Sequence, residues 1–258
     1  MRPTPRAIGP GSARAGLFPR NGVKGRMALH LTDVPSPNSD DRAGPVDMLV
    51  LHYTGMESAE AALARLCDPA AKVSAHYLID EAGRVFALVD EARCAWHAGV
   101  ACWAGERDVN SRAIGVELAN PGHEFGYRDF PEAQMAALVG LALGILARHP
   151  IPPHRVLAHS DVAPARKQDP GERFDWARCA REGVGLYPPD GLPKPDAPPG
   201  RDGFLRDLAR FGYDTSAPDA AIEAFRRHFH AHAVGFGPAI GIGDAARLRW
   251  LLERVAAG

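Results

Sequence analysis

Two histidines and an aspartate, far apart in the sequence, are the residues of this 258-residue chain best suited to catalytic chemistry. His52 follows the apolar run MLVL at 48–51, His159 follows RVLA at 155–158, and Asp169 comes ten residues after His159. Two imidazoles and one carboxylate suit zinc in a catalytic site that keeps one coordination position for water. Each residue alone is more typical of hydrogen bonding or turn chemistry, so the spacing does not by itself establish a metal site.

Predicted strands would have to bring these residues together. Strands are predicted at 45–54, ending near His52, at 112–120, containing Glu117, and at 155–160, ending at His159. Two more strands are predicted at 72–80 and 83–90, on either side of a hairpin turn. Helices are predicted at 58–68, at 131–149 and at 174–181, and Ser58 is the expected cap of the first. Because strands and helices interleave, the pattern predicts an α/β fold with a central sheet covered by helices.

The C-terminal quarter has a different organisation. The segment 187–200 is rich in proline and is predicted to be a semi-rigid linker. Within 201–258, three stretches have apolar residues at helical spacing, which predicts a small three-helix domain. Its alternating histidines at 228, 230 and 232 would spread around a helix, which argues against a metal site there.

Composition narrows the range of partners. Thirty Lys and Arg stand against 31 Asp and Glu without a long run of one sign, so no nucleic acid or anionic lipid is expected as a partner. The longest apolar run, 135–147, is shorter than the roughly 20 residues that a membrane span requires. It is predicted to be a buried helix, and no membrane span is expected.

The N-terminus and the cysteines bear on the compartment. Residues 1–26 are basic and rich in Pro and Gly, and are predicted to be a disordered extension that precedes a catalytic domain at 27–186. They contain neither the apolar block of a signal sequence nor a lipobox cysteine, which favours the cytoplasm; a misassigned start would leave the periplasm open. The four cysteines form no CxxC pair and are expected to be reduced, with Cys94 and Cys102 as the pair to check if the protein is exported.

Five motifs in register carry a resemblance to a known family. They resemble the zinc-dependent N-acetylmuramoyl-L-alanine amidases of the type 2 amidase family: LHYT at 51–54, SAHYLID at 74–80, WHAG at 96–99, NSRAIGVELAN at 110–120 and AHSDVAPARKQDPG at 158–171. The resemblance implies the mixed β-sheet flanked by helices that this family shares with peptidoglycan recognition proteins. The linker and the three-helix region are similar to members with a C-terminal peptidoglycan-binding-like domain.

The resemblance also implies residue roles. His52, His159 and Asp169 match the ligands of one Zn²⁺ per chain, and Glu117 matches the catalytic glutamate. Lys167 matches the lysine of the motif at 158–171, and its expected catalytic role is to place a positive charge near the oxyanion. The implied reaction is hydrolysis of the amide between N-acetylmuramic acid, or its anhydro form, and L-alanine of the peptidoglycan stem peptide, in cell-wall recycling or turnover. The expected partners are therefore muropeptides, anhydro-muropeptides or the sacculus, and the oligomeric state is left open.

Five further motif residues are candidates for substrate contact, each with a structural alternative. His76 and His97 could hydrogen-bond the sugar or peptide, or pack; Trp96 could stack on a sugar ring or fill core. Arg112 and Asn120 could position a stem-peptide carboxylate, or cap loops.

Other classes of protein were weighed against the amidase. A non-catalytic peptidoglycan receptor is the main alternative, and the complete set of ligands and Glu117 argues against it. A cysteine hydrolase using Cys94 or Cys102 with His97 has no supporting motif. A serine triad at 159–161 is rejected because neighbours on a strand point to opposite sides and no G-x-S-x-G motif is present.

Overall fold

The computed structural model describes residues 13–15 and 30–257 of the chain. Most of the predicted disordered extension, residues 1–26, lies outside the described residues. Within it, Ala13–Ala15 form strand β1, which pairs antiparallel with the next strand. Since an edge strand has unpaired backbone groups, this pairing extends the sheet by one strand.

Nine strands are described, and seven of them form the central sheet. After β1 they are β2 His30–Asp33, β3 Ser39–Asp41, β4 Met48–Tyr53, β5 Tyr77–Ile79, β6 Val85–Ala87, β7 Arg93–Ala95, β8 Ala113–Leu118 and β9 Val156–Ala158. The order in the large sheet is β1-β2-β6-β5-β8-β4-β9, and β3 pairs with β7 in a separate ribbon. Parallel pairs join β4 to β8 and β9, whereas β5 and β6 are antiparallel, so the expected mixed sheet is confirmed.

Nine α-helices accompany the strands in the described part of the chain. They are α1 Ala59–Leu66, α2 Val109–Arg112, α3 Gly122–Phe125, α4 Glu132–Arg148, α5 His159–Val162, α6 Trp176–Arg181, α7 Arg201–Phe211, α8 Pro218–Phe229 and α9 Ile242–Ala257. The Ser58 side chain accepts from the Ala61 N–H and caps α1, as the sequence predicts. Within residues 30–257, no helix combines the length and apolar character that crossing a bilayer requires.

One face of the sheet packs on α4. Successive strand residues point to opposite faces, so Leu49 and Leu51 of β4 point to this side with Ile114 and Val116 of β8. They contact the apolar side of α4, including Leu138, in a buried core. The apolar run at 135–147 is therefore a core helix, as its length predicts.

The opposite face packs on the C-terminal helices. Met48 and Val50 of β4 share one buried cluster with Phe204 of α7, Phe225 of α8 and Leu251 of α9. The three predicted helices are present, and their apolar sides cover the sheet face from which His52 projects. This packing places the C-terminal helices on the same side of the sheet as the His52 side chain.

The predicted hairpin is confirmed at β5 and β6. The Asp80 carboxylate accepts from the N–H groups of Ala82 and Arg84 and closes the turn. Gly83 has a φ of 79°, and a Cβ there would lie 2.6 Å from the Ala133 carbonyl oxygen, so both backbone conformation and space require glycine.

The third predicted strand, 155–160, is shorter than expected. It ends at Ala158, and His159 begins the helical turn α5. The expectation that residues 159–161 alternate along a strand is therefore wrong. The local pattern indicated an apolar strand but not where the chain turns, because that turn is stabilised by contacts with distant residues.

Candidate active site

The three candidate ligand atoms converge at one buried point. His52 Nδ1 lies 3.1 Å from Asp169 Oδ2, His159 Nδ1 lies 3.0 Å from the same oxygen, and the two imidazole nitrogens are 2.9 Å apart. All three side chains are buried. Two nitrogens and one carboxylate oxygen so close together fit a single divalent ion with an open coordination position.

Sheet register explains why distant residues meet here. His52 on β4 is the registered partner of Glu117 on β8, and Leu51 is the partner of Ala158 on β9, so His159 follows one step beyond. The strands are parallel, and their C-terminal ends therefore lie at the same edge of the sheet. Asp169 reaches that edge from the loop after α5, where its carbonyl accepts from the Ser160 N–H.

Each histidine is oriented by a bond from its other nitrogen. His159 Nε2 donates to the Ala98 carbonyl at 3.1 Å, and His52 Nε2 lies 3.1 Å from His97 Nδ1. A carbonyl oxygen can only accept, so the proton of His159 lies on Nε2 and its Nδ1 carries a lone pair directed to the shared point. His52 has the same tautomer when its Nε2 donates to His97.

The electrostatics of the cluster favour a neutral His52 and an ionised Asp169. Burial and the nearby His159 lower the pKa of His52 to about 4. Burial opposes ionisation of Asp169, but the neighbouring His159 and His52 hold its pKa well below the ordinary range. These are the protonation states of metal ligands.

His97 contacts His52, one of the candidate metal ligands. Its Nδ1 faces His52, and its ring packs directly on Gly115 of β8, where a Cβ would lie 2.4 Å from His97 Cγ. The Asn110 side chain accepts from the His97 and Ala98 N–H groups and fixes this loop. His97 also lines the cleft. The contact that its Nδ1 makes is with the His52 ring.

Glu117 stands beside the ligands without a partner of its own. Its side chain lines a cleft of about 460 Å³, and its Oε2 atom is buried with no hydrogen bond within the described part of the chain. Burial, and then the charge of Asp169, raise the pKa of Glu117 well above its ordinary value, while Lys167 opposes them. A carboxylate in this setting is suited to accepting and returning a proton.

Lys167 and Asp169 line the same cleft, as their predicted roles require. The sequence did not indicate the part played by the neighbouring Arg166. Arg166 Nη2 donates to the Ala98 carbonyl at 3.0 Å, the same oxygen that accepts from His159. Arg166 therefore fixes the loop that orients a ligand.

Trp96 lies at the side of the cleft and is partly exposed. Its Nε1 donates to Asp40 at 2.7 Å, which fixes the ring orientation. Trp96 is thus half-buried beside the cleft, and its stacking on a sugar ring stays a prediction.

Three predicted substrate residues lie outside the cleft. His76 is fully buried, where its Nδ1 accepts from the Gly115 N–H, and burial together with the Arg42 charge lowers its pKa to about 3. Asn120 is buried and binds the Gly122 N–H and the Arg128 carbonyl. Both side chains therefore make structural contacts: His76 packs within the core, and Asn120 caps a loop.

Arg112 is likewise placed away from the site. Its guanidinium forms ion pairs with Asp47 and Glu106. It precedes the first residue of β8, whereas Glu117 is near the last, so the two are roughly 16 Å apart along the strand. The expected contact with a stem-peptide carboxylate is not supported by this position.

A second polar group at the cleft was not foreseen. The Tyr53 hydroxyl lies 2.9 Å from His123 Nδ1, and His123 Nε2 lies 3.2 Å from the Glu172 carboxylate. Tyr53 directly follows the ligand His52, and the motif LHYT was the only sequence signal for it. Tyr53 and His123 line the cleft.

The cysteines do not take part in the site. Cys94 and Cys102 are buried, neither lines the cleft formed by the described residues, and all four cysteines are free thiols. Ser160 of the rejected serine triad is buried within the helical turn α5, not on a strand.

A buried group of two histidines and an aspartate that could hold a metal ion, beside the carboxyl group of Glu117, is typical of metal-dependent hydrolases. The model of the N-acetylmuramoyl-L-alanine amidase family (Amidase_2) matches residues 42–172. The chain belongs to this family, and the expected amidase class is confirmed.

Two characterised relatives agree. The N-acetylmuramoyl-L-alanine amidase AmiD of Escherichia coli K12 is 36% identical over 219 residues, which are 78% of this chain and 78% of that protein. The 1,6-anhydro-N-acetylmuramyl-L-alanine amidase AmpD of Haemophilus influenzae is 34% identical over 171 residues, 57% of this chain and 91% of that protein.

Solved structures extend the likeness to the C-terminal helices. The E. coli AmiD structure, a complex with anhydro-N-acetylmuramic acid-L-Ala-D-γ-Glu-L-Lys, superposes with a TM-score of 0.73 at 34% identity and covers 83% of this chain and 92% of that chain. AmpDH3 of Pseudomonas aeruginosa gives a TM-score of 0.71 at 29% identity and covers 93% and 100%.

Proposed function

We propose that this protein is a zinc-dependent amidase that hydrolyses the amide between the lactyl group of N-acetylmuramic acid, or its anhydro form, and L-alanine. The observation that carries the proposal is the convergence of His52, His159 and Asp169 within 3.1 Å, beside the unpaired Glu117. Nitrogen and carboxylate ligands in a three-residue set are typical of catalytic zinc.

The residues of the chain would divide the work as follows. Zinc, when bound, supplies a Lewis acid that polarises the scissile carbonyl and lowers the pKa of water. Glu117 takes the proton of the attacking water and delivers it to the leaving nitrogen. Lys167 places a positive charge where the carbonyl oxygen becomes an anion.

The substrate proposal draws on the relatives. AmiD was crystallised with an anhydro-muropeptide that carries three amino acids, and AmpDH3 with an anhydromuramic pentapeptide. A cleft of about 460 Å³ with Trp96 at its side has room for the sugar and the first residues of the peptide. We therefore propose anhydro-muropeptides as the substrate class, in cell-wall recycling, with the sacculus as the larger alternative source of the same bond.

The proposed domain boundaries and the proposed compartment are those that the sequence predicts. We assign catalysis to residues 27–186, the linker to 187–200 and a peptidoglycan-binding-like role to 201–258. We propose the cytoplasm as the compartment, a location that suits the four free thiols. Fractionation of cells that express the full natural gene tests this, and recovery from the periplasm would contradict it.

The decisive experiment follows the product. Purified protein is incubated with anhydro-muropeptides and, separately, with intact sacculi, with and without a chelator, and the products are identified by mass spectrometry. We expect free peptide that begins with L-alanine, loss of this product with the chelator, and recovery on addition of Zn²⁺. Binding of muropeptides without release of peptide at any metal concentration would instead identify a receptor.

A further inference from the structure

Asp161 is a fully buried carboxylate two residues beyond the ligand His159. Its Oδ2 accepts from the Ala158 N–H at 2.7 Å. Ala158 is the last residue of β9 and immediately precedes His159, so this bond fixes the backbone turn from which the ligand projects.

The other partners of Asp161 come from the C-terminal helices. The Tyr213 hydroxyl, just after α7, donates to Oδ1 at 2.6 Å, and His228 Nδ1, in α8, lies 2.6 Å from Oδ2. All three side chains are buried. A buried carboxylate keeps its position only while hydrogen-bond donors hold it, and two of its three donors belong to this region.

The two donors are themselves held rigidly. The His228 ring stacks on Trp176 of α6 with centroids 3.6 Å apart, and the Tyr213 ring meets Trp103 edge-on at 5.0 Å. Both aromatic partners lie outside the C-terminal helices. Each donor therefore packs between the C-terminal helices and the rest of the chain.

The same helices also contact the other support of His159. The Ala104 N–H donates to the Gly212 carbonyl at 2.7 Å, and a Cβ at Gly212 would lie 2.6 Å from the Trp103 ring. Ala104 lies in the same segment between β7 and α2 as Ala98, whose carbonyl accepts from His159 Nε2. The C-terminal region thus contacts the segment that carries this acceptor as well as the turn before His159.

We propose that the C-terminal helices are a part of the metal centre, in which Tyr213 and His228 act as positioning residues for His159 through the Asp161 carboxylate. The inference rests on the proposed zinc site. It assigns these helices a role in the affinity of the site for metal. This role is independent of whether they also bind the cell wall.

The test measures Zn²⁺ affinity of the full chain by competition with a chromophoric chelator, together with thermal unfolding of the metal-free protein. Tyr213→Phe and His228→Leu are each expected to weaken zinc binding by about tenfold, the lower end of effects of residues that orient metal ligands. His228→Asn keeps an amide donor in place of Nδ1 and is expected to recover most of the affinity.

Two controls separate positioning from general loss of stability. Tyr77→Phe removes another buried hydroxyl that donates to a carboxylate, Glu91, far from His159. Arg226→Met breaks a buried ion pair with Asp244 in the same helices without touching Asp161. Both variants are expected to lower thermal stability and to leave zinc affinity within about twofold of wild type. The loss of about tenfold expected for the positioning residues exceeds this margin.

The outcomes distinguish the two proposals. Wild-type protein that binds no zinc would overturn the proposed site and this inference together. Wild-type binding of one zinc, with unchanged affinity in Tyr213→Phe and His228→Leu, or with equal losses in the two controls, would overturn the inference alone.

Discussion

His52 and Glu117 are registered partners on neighbouring parallel strands, so the proposed metal ligand and the carboxylate proposed for proton transfer project side by side from one face of the sheet. Their relative position is set by backbone hydrogen bonds of β4 and β8 rather than by a mobile loop. A site built on such strands keeps its geometry better than one carried by loops.

Glu117→Gln tests the proton-transfer role. The amide has nearly the same shape but cannot take a proton from water, so kcat is expected to fall by about 10²–10⁴-fold. Zinc content, measured by metal analysis, should stay near one per chain, since Glu117 is not among the ligands. Glu60→Gln, on the exposed side of α1, is the matched control and should leave kcat unchanged. Full activity of Glu117→Gln would refute the assignment.

Lys167→Met tests the stabilisation of the oxyanion. Removing the charge while keeping the length of the side chain should lower kcat by roughly 10²-fold or more, with little change in KM. Lys194→Met, in the exposed linker, is the control. A change confined to KM would indicate that Lys167 binds substrate in the ground state instead.

Gly115→Ala tests the support of His52 by His97. The new methyl group would lie 2.4 Å from His97 Cγ, so the ring must move, and the contact with His52 is lost. We expect a loss of about 1–3 kcal/mol in unfolding free energy, as for other overpacked cores, and weaker zinc binding. Combining it with His97→Ala, which makes space, should restore part of the stability but not the zinc affinity. Wild-type zinc affinity in Gly115→Ala would contradict this role.

Glu91 predicts a pH dependence of stability that is independent of the metal. Burial raises the pKa of this carboxyl, but hydrogen bonds from Arg148, His149 and Tyr77 outweigh it and lower the pKa to about 2. A carboxyl with a lowered pKa in the folded state stabilises the protein above its unfolded pKa of about 4.5 and loses this contribution as pH falls toward 2.

The comparison of wild type with Glu91→Gln measures this contribution. Urea unfolding at pH 6 should show the variant less stable by up to about 3 kcal/mol. The difference should shrink steadily between pH 4.5 and pH 2. A difference that is constant over this range would show that the ionised form of Glu91 gives no advantage.

Much of the local structure was predictable because it depends on neighbours in the sequence. The apolar run before His52, the hairpin turn at 81–83 and the helix at 131–149 are each specified by a few adjacent residues. Strands β2, β3 and β7 were not predicted, since their sequences HLTD, SDD and RCA show neither an apolar run nor a clear alternation of apolar and polar residues. Their pairing depends on strands elsewhere in the chain.

The sequence by itself determined the kinds of chemistry available: two imidazoles and a carboxylate as ligands, Glu117 as a candidate base and Lys167 as a cation. The tertiary structure decided which polar residues serve the site and which do not. It paired His97 with His52 and Asp161 with Tyr213 and His228, and it placed Arg112 and Asn120 in structural contacts. The physical reason is that local patterns reflect the spacing of neighbouring side chains, whereas contacts between distant residues depend on strand register and on the packing of helices against the sheet.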